Sequence, residues 1–226
     1  MPVTFKPYAP GETYTPGGLD CGIADSPEIR EQVYRLRHDC YLRKGSNDRR
    51  TDGRFSDSYD QAPNNFSFLV RNGVPEPLAT VRISVVRPDR GSSLPCARSS
   101  ATIRSFQSVA QKSFVEASRL CIGRQARRDV LMWLLGNMAA LAEFYEVEWL
   151  IACPRMEHAP IYQRMFGFRP MAEPRPYFGV KFETQMLGVR RVELKMRVSD
   201  ARPMRNAWQT ALAHLLNPGK LMLAAG

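Results

Sequence analysis

The sequence lacks the groupings of cysteine and histidine that mark a structural zinc ion or a disulfide framework. Its five cysteines are an odd number with no Cys-x-x-Cys pair, and its three histidines lie far apart. We therefore predict no metal site, and free thiols as in the reducing cytoplasm. The cysteines are Cys21, Cys40, Cys96, Cys121 and Cys153.

Long apolar runs are missing too. No run approaches the roughly 20 residues of a membrane span, and residues 1–18 lack the apolar core of a signal peptide. The sequence therefore predicts neither secretion nor a membrane-spanning helix. The short apolar segment 221–225 leaves open a peripheral contact with a membrane, although a segment of this length is more often packed or frayed.

Acidic residues are outnumbered by basic ones. The chain has 32 Lys and Arg against 22 Asp and Glu, which gives a formal net charge of +10. This surplus favours an anionic partner: a nucleic acid, a membrane surface, an acidic carrier protein or a phosphorylated cofactor. Charge alone does not distinguish among these partners.

The 226 residues, of which 44% are hydrophobic, are enough for one large core. We predict a domain over residues 26–200, preceded by an arm lying over it (1–25) and followed by a helix and tail (201–226). Patterning predicts, in order, a helix from Ser26 to Gly45, strands 65–70 and 78–86, strand 113–123, helix 129–145, strand 147–153, helix 158–166, a hairpin of strands 177–187 and 190–198, and helix 203–216. A right-handed crossover would make strands 113–123 and 147–153 parallel.

Strand 113–123 carries two charged residues in an apolar, β-branched setting. We expect both faces of this strand to be covered, so Glu116 and Arg119 must be paired or face a cleft. The residues alone leave two interpretations open, a structural ion pair and a reactive site.

A second group of charged residues is predicted to meet this strand. Arg82 lies in the middle of a strand and needs a carboxylate partner, for which Asp57 and Asp60 in the polar segment 46–65 are nearest in sequence. Arg37 lies on a basic face of the first helix, which by default is a solvated surface.

The order of elements resembles the GNAT acyltransferase fold. That fold is an α/β (α+β) class, three-layer α/β/α sandwich with a mixed, mostly antiparallel central sheet, whose strands splay apart to admit the pantetheine arm of an acyl donor. The motifs resemble its autoinducer-synthase branch, the acyl-homoserine-lactone synthases of quorum sensing and the related N-acyl amino acid synthases. They are Arg37 four residues before Tyr41, the acid pair Asp57 and Asp60, the strand arginine Arg82, the Glu-x-Ser-Arg signature from Glu116 to Arg119, and the segment 158–168.

The resemblance implies an N-acyltransferase. It would move a long-chain acyl group from an acyl carrier protein or CoA thioester to the amine of an amino acid or related small acceptor, with no tightly bound cofactor. Glu116 and Arg119 are the catalytic candidates. Glu116 would orient the amine or accept its proton, directly or through water. A backbone amide near Leu120 or Cys121 would polarise the thioester carbonyl.

The remaining charged residues are implied to bind substrate. The ionic network would fix the acidic loop over the site and leave one arginine for the acceptor carboxylate. Its members are Arg37, Asp57, Asp60, Arg82 and Arg119. The thiol of Cys121 is a weak candidate nucleophile, because no His or Asp partner stands at a recognisable spacing and buried cysteine is usually inert packing.

Departures from the family pattern bear on both substrates. The homoserine-lactone synthases have an acid where this chain has Phe55, and a tryptophan before the acidic loop where this chain has none. These differences favour an amino acid over S-adenosylmethionine. The phosphate loop of the broader fold carries arginines here, which suits the single phosphate and acidic surface of a carrier protein. The predicted donor-phosphate contacts are Arg124, Arg127 and Arg128.

Two alternatives stay open at this point. One is acyl-homoserine-lactone synthesis from S-adenosylmethionine. The other is a non-catalytic, basic nucleic-acid-binding module, against which we note that aromatic residues are not interleaved with the basic runs and that no helix-turn-helix signature appears. We therefore expect no nucleic-acid partner.

Overall fold

The computed structural model of the chain describes residues 19–48, 50–72, 76–87, 95–98, 112–126, 129–200 and 202–215. The α-helices of this part are α1 (Pro27–Arg43), α2 (Asp129–Phe144), α3 (Ala159–Phe166), α4 (Arg191–Asp200) and α5 (Arg202–Leu215). The strands are β1 (Asp20–Ile23), β2 (Asn65–Arg71), β3 (Ala79–Val86), β4 (Phe114–Ile122), β5 (Trp149–Ala152), β6 (Arg169–Pro170), β7 (Arg175–Pro176), β8 (Glu183–Thr184) and β9 (Leu187–Arg190).

Seven of these strands form one mixed sheet in the order β1-β2-β3-β4-β5-β9-β6. All neighbouring pairs are antiparallel except β4 and β5, which are parallel because the crossover through α2 brings the chain back in the same direction. The predicted α/β class and the mixed, mostly antiparallel sheet are confirmed.

Helices cover both faces of the sheet. On β2, Leu69 belongs to the apolar cluster of α1, whereas its neighbours Phe68 and Val70 belong to the cluster that contains α2 and α5. Because successive residues of a strand point to opposite faces, α1 lies on one side of the sheet and α2 with α5 on the other. The result is the predicted three-layer arrangement.

The predicted first helix is confirmed together with its end signals. The Ser26 hydroxyl accepts a hydrogen bond from the Ile29 backbone N–H (3.3 Å), and Pro27 takes the first helical position. Gly45, at a φ of +62°, follows the helix, a backbone conformation that favours glycine. Among the residues described, no helix has the length and hydrophobicity needed to cross a bilayer.

Three predictions about secondary structure are wrong. The predicted strand 177–187 is mostly turn, because only β8 (Glu183–Thr184) and the first residue of β9 are paired within it. Part of the segment predicted as an N-terminal arm, β1, instead pairs with β2 as an edge strand of the sheet. The second strand of the predicted hairpin, 190–198, is mostly the helix α4. Its alternating apolar residues imitate a strand, but Leu194 and Val198 are buried while Val192 and Met196 are 55% and 64% exposed, which is a helical spacing of four.

The middle of the sheet opens on one side of β4. Strand β5 pairs with β4 only from Phe114 to Ala117, whereas β4 continues to Ile122 alongside β3. A β-bulge interrupts the pairing with β3, since two residues of β4 oppose one of β3, and Arg119 in this bulge has a positive φ of 54°. Pairing between β4 and β5 therefore stops after Ala117, and the bulge redirects Arg119 beyond that point.

Candidate active site

Three buried arginines surround two aspartates between α1 and the middle of the sheet. Arg37 Nη1 lies 2.7 Å from Asp60 Oδ1. Arg82 Nη1 lies 2.5 Å from Asp57 Oδ1 and 3.2 Å from Asp60 Oδ1. Arg119 Nη2 lies 2.7 Å from the other oxygen of Asp57. Both partners predicted for Arg82 are present, and these five residues form what we call the ionic network.

The two aspartates are held by the backbone of their own turn. Asp57 caps the 3-10 turn Ser58–Gln61, and its carboxylate accepts a hydrogen bond from the Tyr59 backbone N–H (3.0 Å). Asp60 accepts a reciprocal hydrogen bond from the Asp57 backbone N–H (2.9 Å). This capping box orients both carboxylates before the arginines add their contacts.

Burial of Arg37 overturns a default expectation. Its helix face was expected to be solvated, but the residue is fully buried and its Nη2 donates to the Ser67 hydroxyl (2.9 Å). The cause is the Asp60 carboxylate, which supplies the buried partner that a guanidinium needs. The sequence pattern of α1 alone carries no trace of this partner.

The contacts of the ionic network keep Asp57, Arg82 and Arg119 charged. Burial raises the pKa of Asp57, but Arg82 and Arg119 outweigh it, and the pKa falls from 3.8 to about 2. Burial lowers the pKa of Arg82 and of Arg119, yet the negative groups around each arginine raise both pKa values above the ordinary range. Three guanidinium groups against two carboxylates leave an excess of positive charge.

Some donors of the ionic network are unused. Within the described part of the chain, the buried atoms Nη2 of Arg82 and Nη1 of Arg119 have no hydrogen-bond partner, and neither has the buried Nε of Arg37. A buried donor without a partner costs free energy comparable to a lost hydrogen bond. Together with the positive excess, the donors of Arg82 and Arg119, which lie at the ends of their guanidinium groups, suit an anionic ligand.

Glu116 lies at the centre of the sheet and is fully buried. One carboxylate oxygen accepts a hydrogen bond from the Tyr177 hydroxyl, and the other from the Cys96 backbone N–H (2.9 Å). Burial raises the pKa of Glu116 against the opposing effect of these two donors and of Arg82. The interpretation of Glu116 and Arg119 as an ion pair is wrong, because Tyr177 and Cys96 bind the Glu116 carboxylate and Arg119 binds Asp57 instead.

Two cysteines complete the surroundings of Glu116. The sulfur atoms of Cys96 and Cys153 and a carboxylate oxygen of Glu116 all lie within 4.8 Å of one another. A small pocket reaches both cysteines and Tyr177, and its lining includes the exposed residues Glu173 and Arg175.

Sequence reasoning missed Tyr177, Cys96 and Cys153 as site residues. Tyr177 was assigned to a strand of the terminal hairpin, and the cysteines were set aside because no motif links them. These three residues lie 20 to 61 positions from Glu116 in the sequence, and Cys153 is on the far side of the crossover through α2. No local spacing therefore signals their contact with Glu116. The prediction of no metal site rests on local spacing alone and does not consider this cluster.

Leu120 lies in the bulge and Cys121 directly follows it, in the part of β4 that no longer pairs with β5. Leu120 is partly buried and Cys121 is buried. Burial raises the pKa of the Cys121 thiol well above its ordinary value, with Cys40 as a hydrogen-bond neighbour. A thiol with such a raised pKa stays protonated and serves in packing, which agrees with the weak case for a nucleophile.

The predicted donor-phosphate residues are only partly described. Arg124 is exposed in the turn that follows β4. Arg127 and Arg128 lie outside the described residues.

The sequence matches the model of a known family. Residues 32–190 match the family described as N-acyl amino acid synthase FeeM. No curated protein matches the chain.

Solved structures share the fold at low sequence identity. The chain is similar to FeeM, an N-acyl amino acid synthase from uncultured soil microbes, with a TM-score of 0.66, 15% identity, and coverage of 83% of this chain and 97% of that one. BjaI, a CoA-dependent acyl-homoserine lactone synthase, gives a TM-score of 0.54 at 19% identity over 84% and 92% of the chains. The AHL synthase LasI gives 0.58 at 13% identity over 78% and 94%.

Proposed function

The chain belongs to the N-acyl amino acid synthase FeeM family and is an acyltransferase, and from this premise we propose that it joins a long-chain acyl group to the amine of an amino acid. The acyl group would come from an acyl carrier protein or CoA thioester. The amine nitrogen bonds to the thioester carbonyl carbon, the C–S bond breaks, and the amine proton passes by way of the enzyme to the leaving thiolate.

The unused guanidinium donors carry this proposal. Nη2 of Arg82 and Nη1 of Arg119 are buried, unpartnered among the described residues, and belong to a network with excess positive charge. An α-carboxylate would accept hydrogen bonds from both and balance the charge. An acceptor that carries a carboxylate is therefore favoured over one that does not.

Phe55 supports an amino acid rather than a cationic acceptor. Its ring is buried, stacks on Tyr41 with centroids 4.7 Å apart, and lies 4.8 Å from Arg119 Cζ. The acid expected here in homoserine-lactone synthases would attract a positively charged sulfonium group, whereas a phenyl ring offers no such charge.

We assign the proton transfer to Glu116. Its carboxylate is buried next to the point where β4 and β5 diverge, and it is oriented by Tyr177 and Cys96. A carboxylate whose pKa is raised by burial is a stronger base than an exposed one. A backbone amide near Leu120 would polarise the carbonyl of a thioester that enters the gap.

The gap between β4 and β5 would admit the thioester arm of the donor. Arg124, together with Arg127 and Arg128, would contact its phosphate, and the net charge of +10 suits the acidic surface of a carrier protein. CoA stays a second donor to test. All five cysteines are free thiols, which suits the cytoplasm as the proposed compartment.

The test supplies purified protein with a long-chain acyl carrier protein or acyl-CoA and single amino acids. We expect an N-acyl amino acid by mass spectrometry and stoichiometric release of thiol. Glu116→Gln should lower the rate by roughly 10²–10⁴-fold. Glu193→Gln, which removes a carboxylate of α4 that is paired with Arg169, should retain the rate of the unchanged protein.

Two outcomes would reject the proposal. One is the absence of any N-acyl product with every donor and amino acid supplied, both with and without a metal chelator. The other is a homoserine lactone formed when S-adenosylmethionine replaces the amino acid, which would establish the alternative activity instead.

A further inference from the structure

We propose that Cys96, Glu116 and Cys153 form a binding site for a thiophilic divalent cation, with Zn²⁺ as the natural occupant. The site goes beyond acyl transfer and does not depend on it. Its donor set, two sulfur atoms and one carboxylate oxygen, is of the kind that Zn²⁺ prefers.

The distances already approach those of a zinc site. All three donor atoms lie within 4.8 Å of one another. Tetrahedral ligands at a Zn–S distance of about 2.3 Å place two sulfur atoms about 3.8 Å apart. Rotation of the cysteine side chains that moves each sulfur atom by about 1 Å or less would therefore bring the donors to their ligating positions.

Strand pairing and a hydrogen bond position the backbone of the ligands. Glu116 lies in the segment where β4 pairs with β5, opposite Ile151, and Cys153 directly follows β5. Cys96 lies in the 3-10 turn Pro95–Arg98, whose backbone is tied to the Glu116 carboxylate by a 2.9 Å hydrogen bond. Such a contact from a neighbouring group orients a ligand carboxylate toward its metal.

The pocket supplies access and an open position. It is lined by both cysteines and by the exposed residues Glu173 and Arg175. Three protein ligands would leave the fourth tetrahedral position for water from this side. Binding of the cation releases one proton from each thiol and leaves the carboxylate ionised, so charge and atoms balance without an oxidant.

Occupation of this site has a consequence for catalysis that rests on the proposed function. A cation bound to the Glu116 carboxylate neutralises its charge and makes it a weaker base for the amine proton. Zn²⁺ should therefore inhibit acyl transfer, and a chelator should restore it.

The first experiment uses Co²⁺ in place of Zn²⁺, because thiolate-bound Co²⁺ absorbs light through charge transfer and Zn²⁺ does not. The full chain, with its thiols kept reduced, is titrated with Co²⁺ in the absence of substrate. We expect thiolate-to-cobalt absorption that saturates at one equivalent and is removed by Zn²⁺. Cys96→Ser and Cys153→Ser should each weaken binding by at least tenfold, the scale seen when a metal site loses supporting contacts.

Cys40→Ser is the matched control. Cys40 is a buried cysteine whose thiol contacts the Ile122 carbonyl (3.5 Å) and neighbours Cys121, so it tests whether any close pair of buried thiols binds the cation. Its absorption should equal that of the unchanged protein. Circular dichroism verifies that each variant is folded.

Failure of this site is distinguishable from failure of the acyltransferase proposal. Absence of charge-transfer absorption in the reduced protein would overturn the metal site. It would also be overturned if the absorption persists in the double variant Cys96→Ser with Cys153→Ser but is lost in Cys40→Ser. Loss of free thiols at Cys96 and Cys153 in air, with no Co²⁺ binding after reduction, would identify a disulfide pair instead. None of these readouts requires acyl transfer.

Discussion

The hydroxyl of Tyr177 donates a hydrogen bond to the carboxylate of Glu116, although 61 residues separate them in the sequence. Burial raises the pKa of Glu116, and the Tyr177 contact opposes that rise. Tyr177 also lies beside the Arg119 guanidinium, since the centroid of the Tyr177 ring is 5.6 Å from Arg119 Cζ. One tyrosine thus connects the carboxylate proposed for proton transfer with the ionic network.

Removal of this hydroxyl by Tyr177→Phe should lower both activity and stability. The buried carboxylate loses one of its two described donors, which should cost roughly 1–3 kcal/mol of unfolding free energy. A mispositioned Glu116 should reduce kcat by about tenfold or more, equivalent to about 1.4 kcal/mol in the barrier. Urea unfolding and the rate of thiol release measure the two effects.

Tyr145→Phe is the control for this substitution. Tyr145 follows α2 and packs against Phe66 and Phe144, away from Glu116. It should keep the kcat of the unchanged protein. Equal rates for both phenylalanine variants would show that the Tyr177 hydroxyl has no positioning role.

Arg82→Lys should weaken binding of the amino acid acceptor. Lysine keeps the charge but loses the planar fork, including the unpartnered Nη2. Since hydrogen bonds to charged groups contribute about 1.5–3 kcal/mol, KM for the acceptor should rise about tenfold or more. Initial rates at varied amino acid and at saturating donor measure this KM.

Arg37→Lys separates this effect from simple damage to the ionic network. Both of its terminal nitrogen atoms, Nη1 and Nη2, already donate to Asp60 and Ser67, and only its Nε lacks a described partner, so the substitution should reduce stability without a comparable rise in acceptor KM. If Arg37→Lys and Arg82→Lys raise KM equally, the assignment of the carboxylate to Arg82 is wrong.

Asp57 should make the protein sensitive to acid. Its pKa is about 2 in the folded chain against an ordinary value of 3.8. A lowered folded-state pKa gives stability that is fully present above pH 3.8 and is lost as the pH falls toward about 2. The free energy of unfolding should therefore decline through this window, and Asp57→Asn should show a shallower decline there.

The exposed residue Asp52 provides the comparison for this pH series. Its carboxylate is only 4.0 Å from Arg50 and half of its side chain is in solvent. Asp52→Asn should leave the slope of unfolding free energy against pH unchanged. Identical slopes for the unchanged protein and Asp57→Asn would contradict a stabilising role for the ionised Asp57.

Gly136→Ala should destabilise the chain although alanine is the better helix former. A Cβ at Gly136 would lie 2.5 Å from the Cβ of Ala207, where α2 and α5 approach each other. Overpacking of this kind costs about 1–3 kcal/mol, more than the gain of about 1 kcal/mol from helix propensity. Thermal or urea unfolding gives the sign.

The double variant Gly136→Ala with Ala207→Gly tests the cause. It moves the methyl group from one helix to the other and should recover much of the lost stability. A stabilising Gly136→Ala, or no recovery in the double variant, would show that the helices separate without cost.

Local patterns predicted much of the fold. The capped helix after Ser26, the paired strands β2 and β3, and the strand-helix-strand unit around α2 follow from spacing and end signals that act within a few residues. Helix α4 was not predicted, because its alternating apolar residues fit a strand as well as a helix in which only every fourth residue is buried. Edge strand β1 was missed because its four residues carry no periodicity and are defined by their pairing with β2.

The candidate active site also has a part that the sequence predicts and a part that only the tertiary structure reveals. The sequence by itself determined the family, since the motif residues at Arg37, Asp57, Asp60, Arg82, Glu116 and Arg119 occur in order along the chain. The tertiary structure alone decided that Arg119 binds Asp57 rather than Glu116, and that Tyr177, Cys96 and Cys153 enclose that glutamate. Contacts over such separations depend on the bulge in β4 and on the crossover between β4 and β5, and neither leaves a periodic signal in the sequence.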